Sequence, residues 1–202
     1  MRWKVAVIAT GFAASAAGGC AFSNQQIQLK ATIQNPVSET AAGRAVHVRV
    51  ADERLRTIIG RRRAGGNGGS ITTQQDLSTL VRDGLQKGLR RYGFTIAAVG
   101  AADVPVLAVE LRALDYEAVA GWLSLDIIAW GALEATCKSG ARRYQTFYRV
   151  DRSRGPVSFP PPVAKNTALV NRTLSDLLMK PLTDRNMLEC LAPPAAPPTP
   201  SS

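Results

Sequence analysis

Hydrophobic and polar positions alternate in several short stretches of the chain, a pattern typical of strands that bury one face. The alternation is visible in residues 27–33 (IQLKATI), 45–51 (AVHVRVA) and 104–116 (VPVLAVELRALDY), and residues 94–99 give a shorter example. In the third stretch, the face predicted to be buried carries Leu107, Val109 and Leu111. These patterns predict a sheet in which one side of each strand faces a core.

A further pair of strands is predicted around the turn Lys138–Ala141. The apolar run 122–138 enters this turn, and residues 142–150 (RRYQTFYRV) return from it. A short Gly-containing connection between two such runs indicates a hairpin. Trp122 and Trp130 lie in its first arm and are predicted to be aromatic residues of the core or of the sheet surface.

Two segments have helical spacing instead. The first spans residues 74–92, and its predicted apolar stripe consists of Leu77, Leu80, Val81, Leu85 and Leu89. Thr73 and Asp76 suggest a capping box at its start, and Gly93 a left-handed stop at its end.

The second helix is predicted over residues 163–179, with Pro181 breaking it and Thr183 capping a short last helix. Because strands and helices do not alternate regularly, we expect a single α+β domain over residues 27–191. Its mainly antiparallel or mixed sheet would have about five strands, with helices packed on one face.

The first twenty residues have the features of a secretory signal. Arg2 and Lys4 precede a short apolar run that ends in small residues. The segment Ala17-Gly18-Gly19-Cys20 resembles the lipobox of bacterial lipoproteins, so we expect residues 1–19 to be removed and Cys20 to carry lipid. The alternative is ordinary cleavage after residues 14–16, which leaves Cys20 as a free thiol.

Lipidation would leave residues 20–26 as a tether to the membrane. Ala21 follows the cysteine where an Asp would favour the inner membrane, so the outer membrane, facing the periplasm, is expected. At the other end, residues 192–202 (APPAAPPTPSS) are proline-rich and are expected to form a disordered tail.

Positive charge remains after signal removal, with 23 basic against 15 acidic residues. Export argues against nucleic acid as the partner, so anionic lipid headgroups are the natural counter-charge. Arg61, Arg62 and Arg63 in the glycine-rich stretch 61–69 are candidates for such a contact. A solvated hairpin end is the favoured interpretation of this stretch, and the lipid contact is the alternative; a phosphate loop is excluded because no Gly-Lys-Ser/Thr follows.

The cysteines left after lipidation of Cys20 form an even pair. Cys137 and Cys190 are therefore a candidate disulfide in an oxidising compartment. Two buried free cysteines are the alternative.

Several spaced residues resemble the YajG-type family of bacterial lipoproteins. The pattern consists of Val46-x-Val48-x-Val50-x-Asp52-x-Arg54, Ile59-Gly60, Leu80, Leu85, Leu89, Gly93-Phe94, Leu107 to Leu111, Tyr116, Asn171-x-x-Leu174, Asp184 and Leu191. Together with the lipobox, this pattern covers most of the mature chain. The three consecutive arginines and the proline-rich tail are not expected of the family. The resemblance implies a localisation and a small α+β fold rather than an activity. Auxiliary lipoproteins of ABC-type lipid transport have a similar order of strands and helices, so this second resemblance stays open.

Catalytic chemistry finds little support in the sequence. His47 is the only histidine and lacks a recognisable nucleophile or orienting acid, no GxSxG elbow occurs, and no typical zinc set is present. Asp52 and Arg54 are interpreted as structural at a strand end. We therefore expect no cofactor, no metal and no enzyme activity, but a scaffold or accessory subunit that binds the membrane through Cys20 and envelope proteins. The alternative is a lipid-transport accessory, and a hydrolase is a remote third.

Overall fold

A long antiparallel hairpin forms the centre of the fold. β6 (Val106–Ala120) pairs with β7 (Leu125–Ser139) along its whole length, and β7 pairs in turn with β8 (Arg142–Val157). The β7–β8 hairpin predicted from the sequence is confirmed, with Gly140 at a positive φ of 55° in its turn. The computed structural model describes residues 23–34, 37–39, 41–62, 68–101, 103–120, 124–158 and 161–192.

The other edge of β6 pairs with two different strands in succession. Its first half runs parallel to β2 (Ala45–Asp52), which pairs further out with β5 (Thr95–Ile96). Its second half runs parallel to β3 (Gly60–Arg61). A bulge between Leu111 and Ala113 separates the two pairings and leaves Arg112 as the extra residue.

Beyond β3 the sheet continues with β4 (Ser70–Thr72), which is antiparallel to β3, and β1 (Gln25–Gln26), which is parallel to β4. Within the described residues the sheet has eight strands, where about five were predicted. The additional strands have two or three residues each, too few for an alternating pattern to reveal them.

In the part of the chain that the structure describes, three helices cover one face of this sheet. α1 (Leu77–Arg91) packs on β2, while α2 (Val163–Thr183) and α3 (Arg185–Leu191) pack on β7 and β8. The core between the layers includes Leu85, Leu89, Leu107, Leu111, Leu133, Leu174 and Leu177. The predicted single α+β domain with helices on one face is confirmed. Within the described ranges, no helix is both long and apolar enough to cross a membrane.

The ends of α1 follow the sequence signals with one correction. Asp76, not Thr73, is the N-cap, because its carboxylate accepts from the Ser78 amide at 3.0 Å. The Thr73 hydroxyl instead accepts from the Gln75 amide, which closes a turn before the helix. Gly93, with φ of 86°, ends the helix as predicted.

α2 continues through Pro181, where a break was predicted. The proline lies in the last turn, so the helix loses one hydrogen bond and ends two residues later at Thr183. Thr183 bonds back to the carbonyl of Met179, and Asp184 caps α3 in its place by accepting from two backbone amides. The cap of the last helix is therefore one residue later than predicted.

The alternating segment 27–33 is not a strand of the sheet. It lies as an extended strap between α1 and α2, with Ile27, Leu29 and Ile33 buried. Side chains of α2 take the place of the backbone acceptors that a neighbouring strand would supply. Asn171 accepts from the Lys30 amide at 2.9 Å, and Ser175 accepts from the Thr32 amide at 2.9 Å. The pattern thus predicted the buried positions correctly but not the partner.

Candidate functional site

A buried polar cluster connects the N-terminal segment to the sheet and to α2. It consists of Gln25 on β1, Arg62 after β3, Tyr116 on β6 and Asn166 on α2, and we call it the Arg62 cluster. The Tyr116 hydroxyl donates to Asn166 Oδ1 at 2.9 Å. The polar atoms of the Gln25 carboxamide lie 2.8 Å from Asn166 Nδ2 and 3.1 Å from Arg62 Nε.

Arg62 joins segments that are far apart in sequence. Its Nη1 donates to the backbone oxygen of Ser23 at 2.9 Å, and its Nη2 donates to that of Pro161 at 3.1 Å. The planar guanidinium can donate in several directions at once, and a lysine cannot reproduce this geometry. Arg62 therefore fixes the start of the domain to the segment that leads into α2.

Burial alters the acid–base properties of this cluster. Desolvation raises the pKa of Tyr116 to about 12, while the nearby positive charges of Arg62 and Arg154 act in the opposite direction. Desolvation also lowers the pKa of Arg62, which Tyr116 partly offsets. A buried arginine charge held by carbonyl oxygens and a neutral phenol is a structural arrangement rather than a catalytic one.

The predicted arginine patch is divided by the fold. Arg61 is exposed, whereas Arg62 is only 5% exposed and is engaged with carbonyls, so Arg62 is unavailable to an anionic surface. The prediction that Arg62 belongs to this patch was wrong. Nothing in a run of three identical residues indicates which of them is buried and hydrogen-bonded. Arg63 lies outside the described residues, as do Cys20, the signal segment 1–19 and Trp122.

Sequence reasoning missed the Arg62 cluster, although one signal for it exists. Asn166 lies on the same side of α2 as Val170 and Leu174, so a polar residue interrupts an otherwise apolar stripe. Such an interruption on a buried face indicates a satisfied polar group. Its distant partners Gln25 and Arg62 had no comparable signal.

The opposite face of the sheet carries charged and aromatic side chains. Arg112, at the bulge, forms ion pairs with Glu110 and with Glu134. The Arg149 guanidinium lies 4.5 Å from the centre of the Trp130 ring. Trp130 is therefore a sheet-surface aromatic, one of the two predicted settings.

Asp52 and Arg54, which were interpreted as structural, form an ion pair. Arg54 Nε donates to Asp52 Oδ1 at 2.8 Å and Arg54 Nη2 donates to Asp52 Oδ2 at 2.9 Å. Asp52 is the last residue of β2, and its carboxylate also accepts from the Arg54 amide just beyond the strand. This geometry supports the structural interpretation of the pair.

His47 lies on the sheet face away from the helices, and its Nδ1 is 3.4 Å from the carbonyl oxygen of Ala97. In the part of the chain that the structure describes, no group of three or more His, Cys, Asp or Glu side chains is placed to hold a metal ion.

The structure joins Cys137 on β7 to Cys190 on α3 by a disulfide bond. The bond closes 53 residues of sequence and links the sheet to the last helix. This is the pair that remains when Cys20 is set aside.

Asp184 lies at the junction of α2, α3 and β8. Its carboxylate accepts hydrogen bonds from the hydroxyls of Tyr144 at 3.0 Å and Tyr148 at 2.6 Å, in addition to capping α3. Desolvation opposes ionisation here, but the hydrogen bonds from Tyr148, the α3 amides and Tyr144 prevail and lower the pKa of Asp184.

Two grooves run along the outer side of α2, on either side of the Arg152–Asp176 ion pair. One, of about 580 Å³, lies against β8, and the other, of about 470 Å³, lies against the strap. Charged and polar side chains line most of both, and Met179 contributes to each.

Comparison with solved structures finds bacterial proteins of similar fold. A neuraminyllactose-binding hemagglutinin homolog from Helicobacter pylori aligns with a TM-score of 0.51 and 11% identity, over 83% of this chain and 97% of that one. At this identity the likeness shows the fold alone. Curated proteins include no match to this sequence.

Two further structures align more loosely. A DUF330 protein from Xanthomonas campestris has a TM-score of 0.46 and 16% identity, over 83% of this chain and 91% of its own. A minor lipoprotein from Acinetobacter baumannii has a TM-score of 0.46 and 12% identity, over 74% of this chain and 91% of that one.

The family assignment comes from the sequence profile of a group described as uncharacterized lipoproteins, which matches residues 31–192. The match includes α1, the β6–β8 hairpins, α2 and α3, and so covers most of the chain. It agrees with the resemblance carried by the spaced residues from Val46 to Leu191. The protein therefore belongs to the YajG-type family of bacterial lipoproteins.

Proposed function

We propose that the protein is a non-enzymatic lipoprotein, held by lipid on Cys20 at the periplasmic face of the outer membrane, that scaffolds or assists an envelope complex. The observation that carries this proposal is the hydrogen bond from Arg62 to the backbone of Ser23. It fixes the folded domain to the chain only three residues after the lipidation position.

The short tether limits how far the domain can stand from the bilayer. Three extended residues span at most about 10 Å, so Ser23 and the groups around it would lie next to the headgroups. Exposed Arg61 belongs to this end of the domain and would contact anionic headgroups there. Each such basic residue near an anionic surface contributes about 1 kcal/mol.

The opposite end of the domain would then point away from the membrane. Tyr116 of the Arg62 cluster pairs with Ala129 on β7, and the disulfide lies eight residues further along that strand at Cys137. At about 3.3 Å per residue, this places α3 roughly 26 Å beyond the cluster. The sheet edges and the outer side of α2 would remain accessible to partners.

The grooves support a protein partner more than a lipid ligand. An accessory subunit that receives an acyl chain needs an apolar cavity. The two grooves beside α2 instead present Arg152, Asp176, Lys180 and Arg172, whose charges suit polar surfaces. These two grooves therefore favour the scaffold role, whereas the smaller, mostly apolar pocket of about 300 Å³ between Phe94 and Leu188 is where a lipid-transport accessory would hold an acyl chain.

Crosslinking in intact cells followed by mass spectrometry tests the proposal. Reproducible capture of the same envelope subunit by the wild type, lost in a Cys20→Ser variant made to equal levels, is the expected result. Absence of capture, together with turnover of an envelope substrate that His47→Ala abolishes, would overturn the proposal. His47→Ala is informative because the His47 ring makes only a weak structural contact with Ala97.

A further inference from the structure

β8 forms a long free edge of the sheet. It has 16 residues and, among the described strands, pairs with β7 alone. Strands in globular proteins usually have three to ten residues, and edge strands are often shorter still. Along its outer side, alternate backbone N–H and C=O groups therefore have no strand partner, which is the arrangement that accepts an added strand.

The charge of this edge is strongly positive. Its sequence contains a single acid, Asp151, and its basic residues are Arg142, Arg143, Arg149, Arg152 and Arg154. Asp151 pairs with Arg149, and Asp176 of α2 pairs with Arg152. The other three arginines have no ion pair with a described carboxylate.

This charge argues against a second copy of the same chain. Two β8 edges placed side by side would bring two arginine-rich strands together, and like charges on neighbouring strands are destabilising. An acidic strand would instead find opposite charges toward both ends of the edge. Charged side chains on an edge strand discourage pairing with uncharged or basic strands. The arginines would therefore restrict strand addition to acidic partners.

Space for the side chains of an added strand is present on both sides of the edge. On the helix side, the groove of about 580 Å³ between β8 and α2 offers Val150 and Met179 to apolar side chains and Lys180 to acidic ones. On the open side, Phe147 is 58% exposed and offers a second apolar contact. Because successive side chains of a strand point to opposite faces, a strand mixing acidic and apolar residues fits both.

We infer that β8 is a docking edge for an acidic, extended segment of a partner protein, which adds to the sheet as a ninth strand. The inference rests on the proposed scaffold function and names the surface that would carry it. Backbone hydrogen bonds to β8 supply the affinity, and the arginines select acidic sequences.

A peptide-binding assay on the full lipoprotein in detergent tests this directly. The probe is a fluorescent eight-residue peptide that alternates Glu and Val, compared with a Lys–Val peptide of equal length. The acidic peptide should bind and the basic one should not. A third peptide, with the Glu–Val sequence but N-methylated at every residue, keeps the charge and lacks the backbone donors of both edges, so it should lose binding.

Two matched variants locate the site. Arg142→Glu with Arg143→Glu reverses charge on β8 and should weaken binding of the acidic peptide by at least about tenfold. Lys87→Glu with Arg90→Glu makes the same change of net charge on α1, remote from β8, and should leave it within about twofold. Hydrogen exchange should show protection of residues 142–157 on binding.

Equal binding of the N-methylated peptide, equal weakening by both variants, or no binding of the acidic peptide would each overturn the inference. These results concern β8 alone. If a partner crosslinks through another face, the proposed function stands without the β8 inference. If Cys20 carries no lipid, the proposed function fails, but peptide binding to β8 is unaffected.

Discussion

The guanidinium of Arg62 donates a hydrogen bond to the backbone oxygen of Ser23, which precedes it by 39 residues. Ser23 lies three residues after Cys20, so this contact joins the folded core to the chain next to the proposed lipid attachment site. The neighbouring Arg61 points to solvent instead. Two adjacent arginines of one basic run thus differ in environment: Arg62 is buried and hydrogen-bonded, and Arg61 is exposed.

Replacing Arg62 with Ala should destabilise the protein by about 3 kcal/mol, because hydrogen bonds from a charged group to buried acceptors each contribute about 1.5–3 kcal/mol. Arg61→Ala, its exposed neighbour, should change stability by less than about 0.5 kcal/mol. Urea unfolding measures both values. Equal effects of the two substitutions would contradict the structural role of Arg62.

The difference between these arginines shows where sequence reasoning stops. Alternation in β2 and β6 and the stripe of α1 predicted the buried positions, because one repeating period encodes a buried face. The strap 27–33 has the same alternation, yet its backbone amides donate to the side chain of Gln75, just before α1, and to side chains of α2. Local pattern specifies which side chains are buried, but the partner depends on contacts between residues more than 140 positions apart.

Gly60 should tolerate no side chain. A Cβ added there would lie 1.9 Å from the backbone oxygen of Tyr116, so the β3–β6 pairing would have to separate. We expect Gly60→Ala to cost about 3 kcal/mol or more. Gly155→Ala on β8 is the control, because among the described residues no atom beyond its two chain neighbours lies within 4 Å of its added Cβ. Thermal unfolding of the two variants decides; a Gly60→Ala protein as stable as the wild type would refute the close packing.

Reduction of the Cys137–Cys190 disulfide should lower stability by about 4 kcal/mol, since a crosslink closing a loop of this length restricts the unfolded chain. Peptide mapping without reductant should recover the two cysteines in one linked fragment. The double variant Cys137→Ala with Cys190→Ala should be less stable than the oxidised wild type and insensitive to dithiothreitol. Dithiothreitol sensitivity of that variant would point to another cause.

Asp184 should make stability depend on acid pH. Its pKa in the folded state is lowered by hydrogen bonds that outweigh desolvation, so its carboxylate stabilises the fold above the unfolded pKa of about 3.9. That contribution should be lost as pH falls from this value through the folded pKa. Asp184→Asn keeps a good N-cap but removes the charge, so its stability should decline less steeply over this range. Identical acid unfolding curves for variant and wild type would count against this account.

Lipidation of Cys20 is the central claim, and metabolic labelling with a palmitate analogue tests it most directly. The wild type should incorporate the label and sediment with membranes, and its N-terminal peptide should begin at Cys20 with added acyl mass. Cys20→Ser should carry no label and leave the membrane fraction. Equal labelling of both proteins, or an unmodified Cys20 thiol in the mature wild type, would contradict the account.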